Sequence, residues 1–300
     1  MRIAWSELYC HPLPDGHRFP MEKYELIPEQ LLHQGLVRND QFFVPALVSE
    51  ETLLLCHGKK YVHEVLSLQL EARAMRKIGF PLSQKLADRE RIITQGTIEC
   101  ALAALTDGAS MNVAEGTHHA YENSGEGFCI FNDFAVAAHY LFHHKKVKKI
   151  LVVDLDVHQG NGTASIFKQD ERVFTFSMHG IDNYPHHKEN SDWDIPLQTG
   201  TKGEDYLQLL EDALPQLLER AKPELVFYVS GVDILEGDKL GKLALTKPEC
   251  RVRDKIVAQY FAEKNIPLVA AMGGGYSPQI ADIVDAHCAT FDEIQSAYFV

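Results

Sequence analysis

Short apolar runs rich in β-branched and aromatic residues recur along this chain, separated by amphipathic stretches of helical length. The runs are 150–157, 173–178, 225–229 and 268–272, with residues 2–5 as an edge strand. Apolar character on consecutive residues marks strands that are buried on both faces. Between them, "EDYLQLLEDALPQLLERA" and "PECRVRDKIVAQYFAEKN" space their apolar residues as helices do, and Pro248 suits a first helical turn. Strands alternating with helices predict an α/β fold, a mainly parallel sheet with helices on both faces.

At 300 residues, with no internal repeat or Gly/Ser/Pro-rich linker, the chain is expected to form a single domain over 1–300. No apolar run is long enough to span a bilayer, and "MRIAWSELYCHPLP" lacks the uninterrupted apolar segment of a secretory signal. The expectation is a soluble cytoplasmic protein with no membrane partner. Six scattered cysteines without a C-x-x-C pair predict reduced thiols rather than a zinc ribbon. A formal charge of −13 argues against direct nucleic-acid binding and is compatible with attracting a cationic substrate.

The polar residues fall where the apolar runs end. "ILVVDLDVHQGNG" runs into Asp154, Asp156 and His158, "LVFYVSGVD" into Asp233, "MNVAEGTHHA" into His118 and His119, and "LVAAMGGGY" into Tyr276. In open parallel sheets ligands bind beyond the carboxyl ends of the strands, so these residues are expected to converge. Residues two apart in a strand point the same way, so Asp154, Asp156 and His158 can form one row, with the chain expected to leave strand geometry near His158. Buried bare carboxylates are costly, and a divalent cation satisfies several together. Asp156, His158 and Asp233 would supply three ligands with one position open, as catalytic zinc sites do. The same acids could instead cap helices or form a buried ion-pair network.

Histidine pairs occur three times, at 118–119, 143–144 and 186–187. His143 and His144 lie in "LFHHKKVKK", the basic end of a helix, and read as solvated. His186 and His187 lie in a polar loop and read as rim residues at most. Only His118 and His119 follow an apolar run and precede "SGEGF", which makes them the acid/base candidates. "GGGY" lacks the Lys-Ser/Thr of a phosphate loop, so its glycines read as a tight turn that leaves the Tyr276 hydroxyl facing the site.

"EGTHHA", "GFCIFND", "DLDVHQGNGT", "SGVDILEGDKLGKLALT" and "MGGGY", in that order, closely resemble the zinc-dependent histone deacetylases of the arginase–deacetylase superfamily. The resemblance covers most of the chain and is strongest to the class IV and bacterial branch. It implies that Asp156, His158 and Asp233 hold Zn2+, while the Asp₂His set with an open position would also suit Fe2+. It makes His118 and His119 the tandem histidines and Tyr276 the oxyanion-side tyrosine. Asp154 would orient His118 and help hold a monovalent cation such as K+. Gly127, Phe128 and Gly274 would contact substrate.

The sequence departs from the class I pattern in three places. The partner of the second histidine is Asn161 where class I has Asp, and the second tunnel wall is Tyr184 where class I has Phe. No residue matches the arginine of the class I product channel. The activity implied is hydrolysis of an N-acylated lysine or related amine, a peptide or a small molecule. The rivals are a two-metal ureohydrolase and a non-catalytic ligand-binding relative. Oligomeric state is left open.

Overall fold

The computed structural model describes residues 1–299. Its eight strands are β1 (Arg2–Ala4), β2 (Phe42–Phe43), β3 (Ala109–Glu115), β4 (Ile150–Asp154), β5 (Val173–Gly180), β6 (Trp193–Leu197), β7 (Leu225–Ser230) and β8 (Leu268–Met272). They form one sheet in the order β2-β1-β3-β8-β7-β4-β5-β6, and every pairing is parallel. The expected α/β fold is therefore the observed one. Every residue of β4, β7 and β8 is buried, the pattern of central strands covered on both sides. Burying such side chains contributes roughly 25 cal/mol per Å² of apolar surface, so this central region dominates the core.

The helices form two layers. Lys23–His33, Ile280–Tyr298, Lys247–Glu263 and Gly203–Ala221 pack successively against one another. Gln84–Asp107, Asp133–His143 and Asn161–Phe167 do the same in the other layer. Lys247–Glu263 begins with a capping box, in which Thr246 and Glu249 each bond the other's backbone N–H, and Pro248 sits in its first turn.

Two expectations are corrected, and strand β6 was not anticipated. Residues 2–5 were expected at the edge, yet β1 lies between β2 and β3, and the two-residue β2 is the edge. Strand geometry over 150–157 stops at Asp154, because Asp156 and His158 each turn a backbone N–H back onto a preceding carboxylate. The three polar residues therefore follow one another around a turn and do not share one strand face. The edge strand β6 is absent from the sequence reading; its WDIPL is only half-buried and contains Pro196, which cannot donate to a ladder.

Candidate active site

Four strands adjacent in the sheet, β3, β8, β7 and β4, end side by side. Glu115 and Ser230 both pair with Met272, and Asp154 pairs with Val229, so the ends are level. The segments leaving them carry His118 and His119, residues 273–276, Asp233, and Asp156 with His158. A parallel ladder with aligned ends is what brings residues over 150 positions apart into one place.

Asp156, His158 and Asp233 each offer a ligand atom, all within 4.8 Å of one another, and all three are buried. Backbone donors fix the carboxylates. Asp156 accepts the N–H of His158 on Oδ1 (2.8 Å) and that of Gly274 on Oδ2 (2.6 Å), and Asp233 Oδ1 accepts the N–H of Val157 (3.1 Å). His158 Nδ1 lies 2.9 Å from Asp156 Oδ1 and 3.1 Å from Asp233 Oδ2. The second contact is out of line for a hydrogen bond, so the buried Asp233 Oδ2 accepts none. An orphaned buried carboxylate oxygen facing an imidazole nitrogen and a second carboxylate fits a divalent cation. Burial and the Asp156 charge push Asp233 up to about 7. Burial lowers the His158 imidazole, but the two carboxylates outweigh it and hold it at about 10. Gly274 is required here, since a Cβ on it would collide with Asp233 Oδ2.

The histidine pair is held by two different partners. His118 Nδ1 lies 2.7 Å from Asp154 Oδ2, and His119 Nδ1 lies 2.7 Å from Asn161 Oδ1. Burial lowers the His118 imidazole, yet the Asp154 carboxylate overrides this and holds it at about 9. Burial and the neighbouring His118 and His158 push His119 well below the usual range, leaving it neutral. One imidazole is thus a cation beside one that is a base. Burial, reinforced by nearby acids, raises the Tyr276 phenol well above its usual range, so it remains a donor. Its ring stands edge-on to His158, with centroids 6.4 Å apart.

A cavity of about 310 Å³ opens onto His119, His158 and Tyr276 between walls formed by Gly127, Phe128 and Tyr184. Gly127 and Phe128 have φ of 57° and 69°, two successive left-handed residues. This conformation, unusual for a phenylalanine, is held by bonds from their N–H groups to Lys77 O (3.0 Å) and Ile78 O (2.7 Å). Tyr184 stands edge-on to His119, with centroids 5.0 Å apart. The other histidine pairs lie elsewhere: His143 and His144 are exposed at a helix end, His186 is on the cavity rim, and His187 is exposed.

Sequence reasoning missed the residues that hold this set in place. Asp238 accepts the N–H of Tyr276 (2.6 Å) and those of Leu240 and Gly241 (both 2.8 Å). Arg253, fully buried, donates to Leu155 O (3.2 Å) and Gly231 O (2.8 Å), bracing the turns that carry Asp156 and Asp233. Glu126 accepts from Asn161 Nδ2 at 2.7 Å. The flanking glycines of "EGDKLG" could have flagged Asp238, whereas Arg253 lies in an ordinary helical pattern.

A parallel α/β sheet whose adjoining strand ends bring together a carboxylate–histidine ligand set and a buried histidine pair defines a hydrolase-type site of the arginase–deacetylase superfamily. Residues 17–291 match the family model described as a histone deacetylase domain. The chain belongs to the histone deacetylase family. An uncharacterised protein of Picosynechococcus is 42% identical over 285 residues, 95% of each chain. Histone deacetylase 2 of Arabidopsis thaliana is 31% identical over 277 residues, 89% of this chain and 72% of its own. The crystal structure of a histone deacetylase homologue from Aquifex aeolicus superposes with a TM-score of 0.84 at 24% identity, over 98% of this chain and 84% of that one. At that identity it supports the fold.

Proposed function

We propose that this protein is a metal-dependent amidohydrolase that removes the acyl group from an N-acylated amine, in the simplest case acetyl-lysine. The observation that carries this reading is the orphaned Asp233 Oδ2 within the Asp156–His158–Asp233 set, whose His158 opens onto the same cavity as a neutral histidine and a protonated phenol. A zinc ion held by these three residues, or Fe2+ in its place, would polarise the amide carbonyl and lower the pKa of a water toward about 7. His119 takes the proton of that water and returns one to the leaving amine. His118, held as a cation by Asp154, adds fixed positive charge beside it. Tyr276 donates its hydroxyl to the carbonyl oxygen as that oxygen gains charge. A structural monovalent cation such as K+ beside Asp154 belongs to the same reading.

Phe128 and Tyr184 would flank the methylenes of an acyl-lysine side chain, and Gly127 and Gly274 leave room for it. The mouth carries Arg18, Lys77, Lys242 and His186 against the single acid Asp182. A basic rim on a chain of net charge −13 favours substrates with a negative group beside the acylated amine over acetylpolyamines. This reverses the cationic preference that net charge alone allowed.

Among the described residues Asp156, His158 and Asp233 form the one cluster of three side chains able to hold a metal, which favours a one-metal deacylase over a two-metal ureohydrolase. A panel of acyl-lysine peptides, acetylpolyamines and free arginine, run with and without chelator, tests this. Chelator-sensitive deacylation is expected, and urea release from arginine without deacylation would overturn the reading.

A further inference from the structure

We infer that Glu126 fixes the tautomer of His119 by locking the side-chain amide of Asn161, a positioning role that rests on the deacylation proposed above. Asn161 Nδ2 lies 2.7 Å from Glu126 Oε1 and 2.9 Å from the Tyr121 hydroxyl. An ionised carboxylate only accepts, so the amide must turn its N–H groups toward Glu126. Its oxygen then faces His119 Nδ1 at 2.7 Å. An acceptor at that point requires a proton on Nδ1, which leaves the lone pair of the neutral ring on Nε2.

The opposite amide orientation would set Asn161 Oδ1 against the Glu126 carboxylate and present an N–H to His119 Nδ1. The ring would then carry its proton on Nε2 and could not take one from a water there. Tyr121 does not decide between the two, because a hydroxyl both donates and accepts. Glu126 does decide. Its turn is fixed, since its carbonyl accepts the N–H of Cys129 at 3.0 Å and the next two N–H groups bond to Lys77 and Ile78. The asparagine adds no charge of its own to His119; the charge stands one bond further away.

A charge-swap series with two readouts tests this. Glu126→Gln keeps the shape but can donate or accept, so it should lower kcat about 10-fold with little change in KM. Nitrogen-15 spectra of the histidine rings should show only the Nδ1–H form of His119 in the wild type and a mixture in Glu126→Gln. Asn161→Asp alone would place two carboxylates in contact and should lose more activity than Glu126→Gln. Combining Glu126→Gln with Asn161→Asp should restore kcat to within about threefold of wild type, because an aspartate accepts from His119 whichever way it turns. An unchanged His119 tautomer and unchanged kcat in Glu126→Gln would overturn the relay while leaving the deacylase reading intact. A wild type with no deacylation would overturn that reading, and the ring spectra would still judge the relay.

Discussion

His57 Nε2 accepts the backbone N–H of Asn132 at 3.0 Å, while its Nδ1 faces the carbonyl oxygens of Tyr121 and Glu122 at 3.1 and 3.2 Å. Only the neutral Nδ1–H ring satisfies both sides. Asn132 in turn caps the helix Asp133–His143 and donates to Ala120 O at 3.2 Å, one residue beyond the histidine pair. A buried histidine with no part in the chemistry therefore braces the loop that carries His118 and His119.

This makes the fold sensitive to acid. Burial lowers the His57 pKa to about 4, whereas an unfolded chain titrates near 6.5. The folded-state value is depressed, so the stabilisation is complete above pH 6.5 and is lost as pH falls toward 4. By pH 5 the loss from this residue should reach about 2 kcal/mol. Denaturant unfolding at pH 8 and pH 5 should show His57→Gln less stable at pH 8 but with a shallower decline. Equal declines in the two proteins would remove His57 as the cause.

Tyr276 should act on the transition state more than on bound substrate, since its bond strengthens as the oxygen gains charge. Tyr276→Phe should lower kcat by about 10²-fold, change KM much less and keep the wild-type metal content. Lost thermal stability with intact turnover would make the residue structural.

The histidine pairs supply their own control. His119→Ala should lower kcat by roughly 10²-fold or more, as expected for a general base. His143→Ala with His144→Ala, at an exposed helix end, should leave kcat close to wild type. Similar losses in both would show that the wrong pair had been assigned to the chemistry.

Charge at the mouth should govern which substrates enter. Lys77→Glu combined with Lys242→Glu should raise KM several-fold for an acetyl-lysine peptide flanked by acidic residues, and should lower it for acetylspermidine. The effect should shrink with added salt, because both lysines are exposed. Parallel changes for the two substrates would mean that the rim does not select by charge.

What was legible in the sequence and what was not divide on physical grounds. The runs through Val152, Phe227 and Ala270 are central strands whose burial leaves a local signature, and their polar ends announce Asp154, Asp233 and Tyr276. Tandem histidines after such a run carried the same kind of signal. Arg253, His57 and Glu126 left none, because each acts on a segment far away in the chain and looks locally like an ordinary helix or loop residue. Strand β2 was invisible for another reason: two residues cannot display a period. The turn after Asp154 was misread because alternation predicts where side chains point only while the backbone stays extended.

The central claim is that one metal ion per chain, held by Asp156, His158 and Asp233, supports acyl-lysine hydrolysis. The most direct test is to strip the protein with chelator, titrate Zn2+ or Fe2+ back, and follow acetyl-lysine turnover against metal bound. Activity should rise in proportion to metal, level off at about one equivalent, and be absent from Asp233→Ala, which should bind little metal. Turnover that survives chelation, or that keeps rising to about two equivalents, would contradict the account.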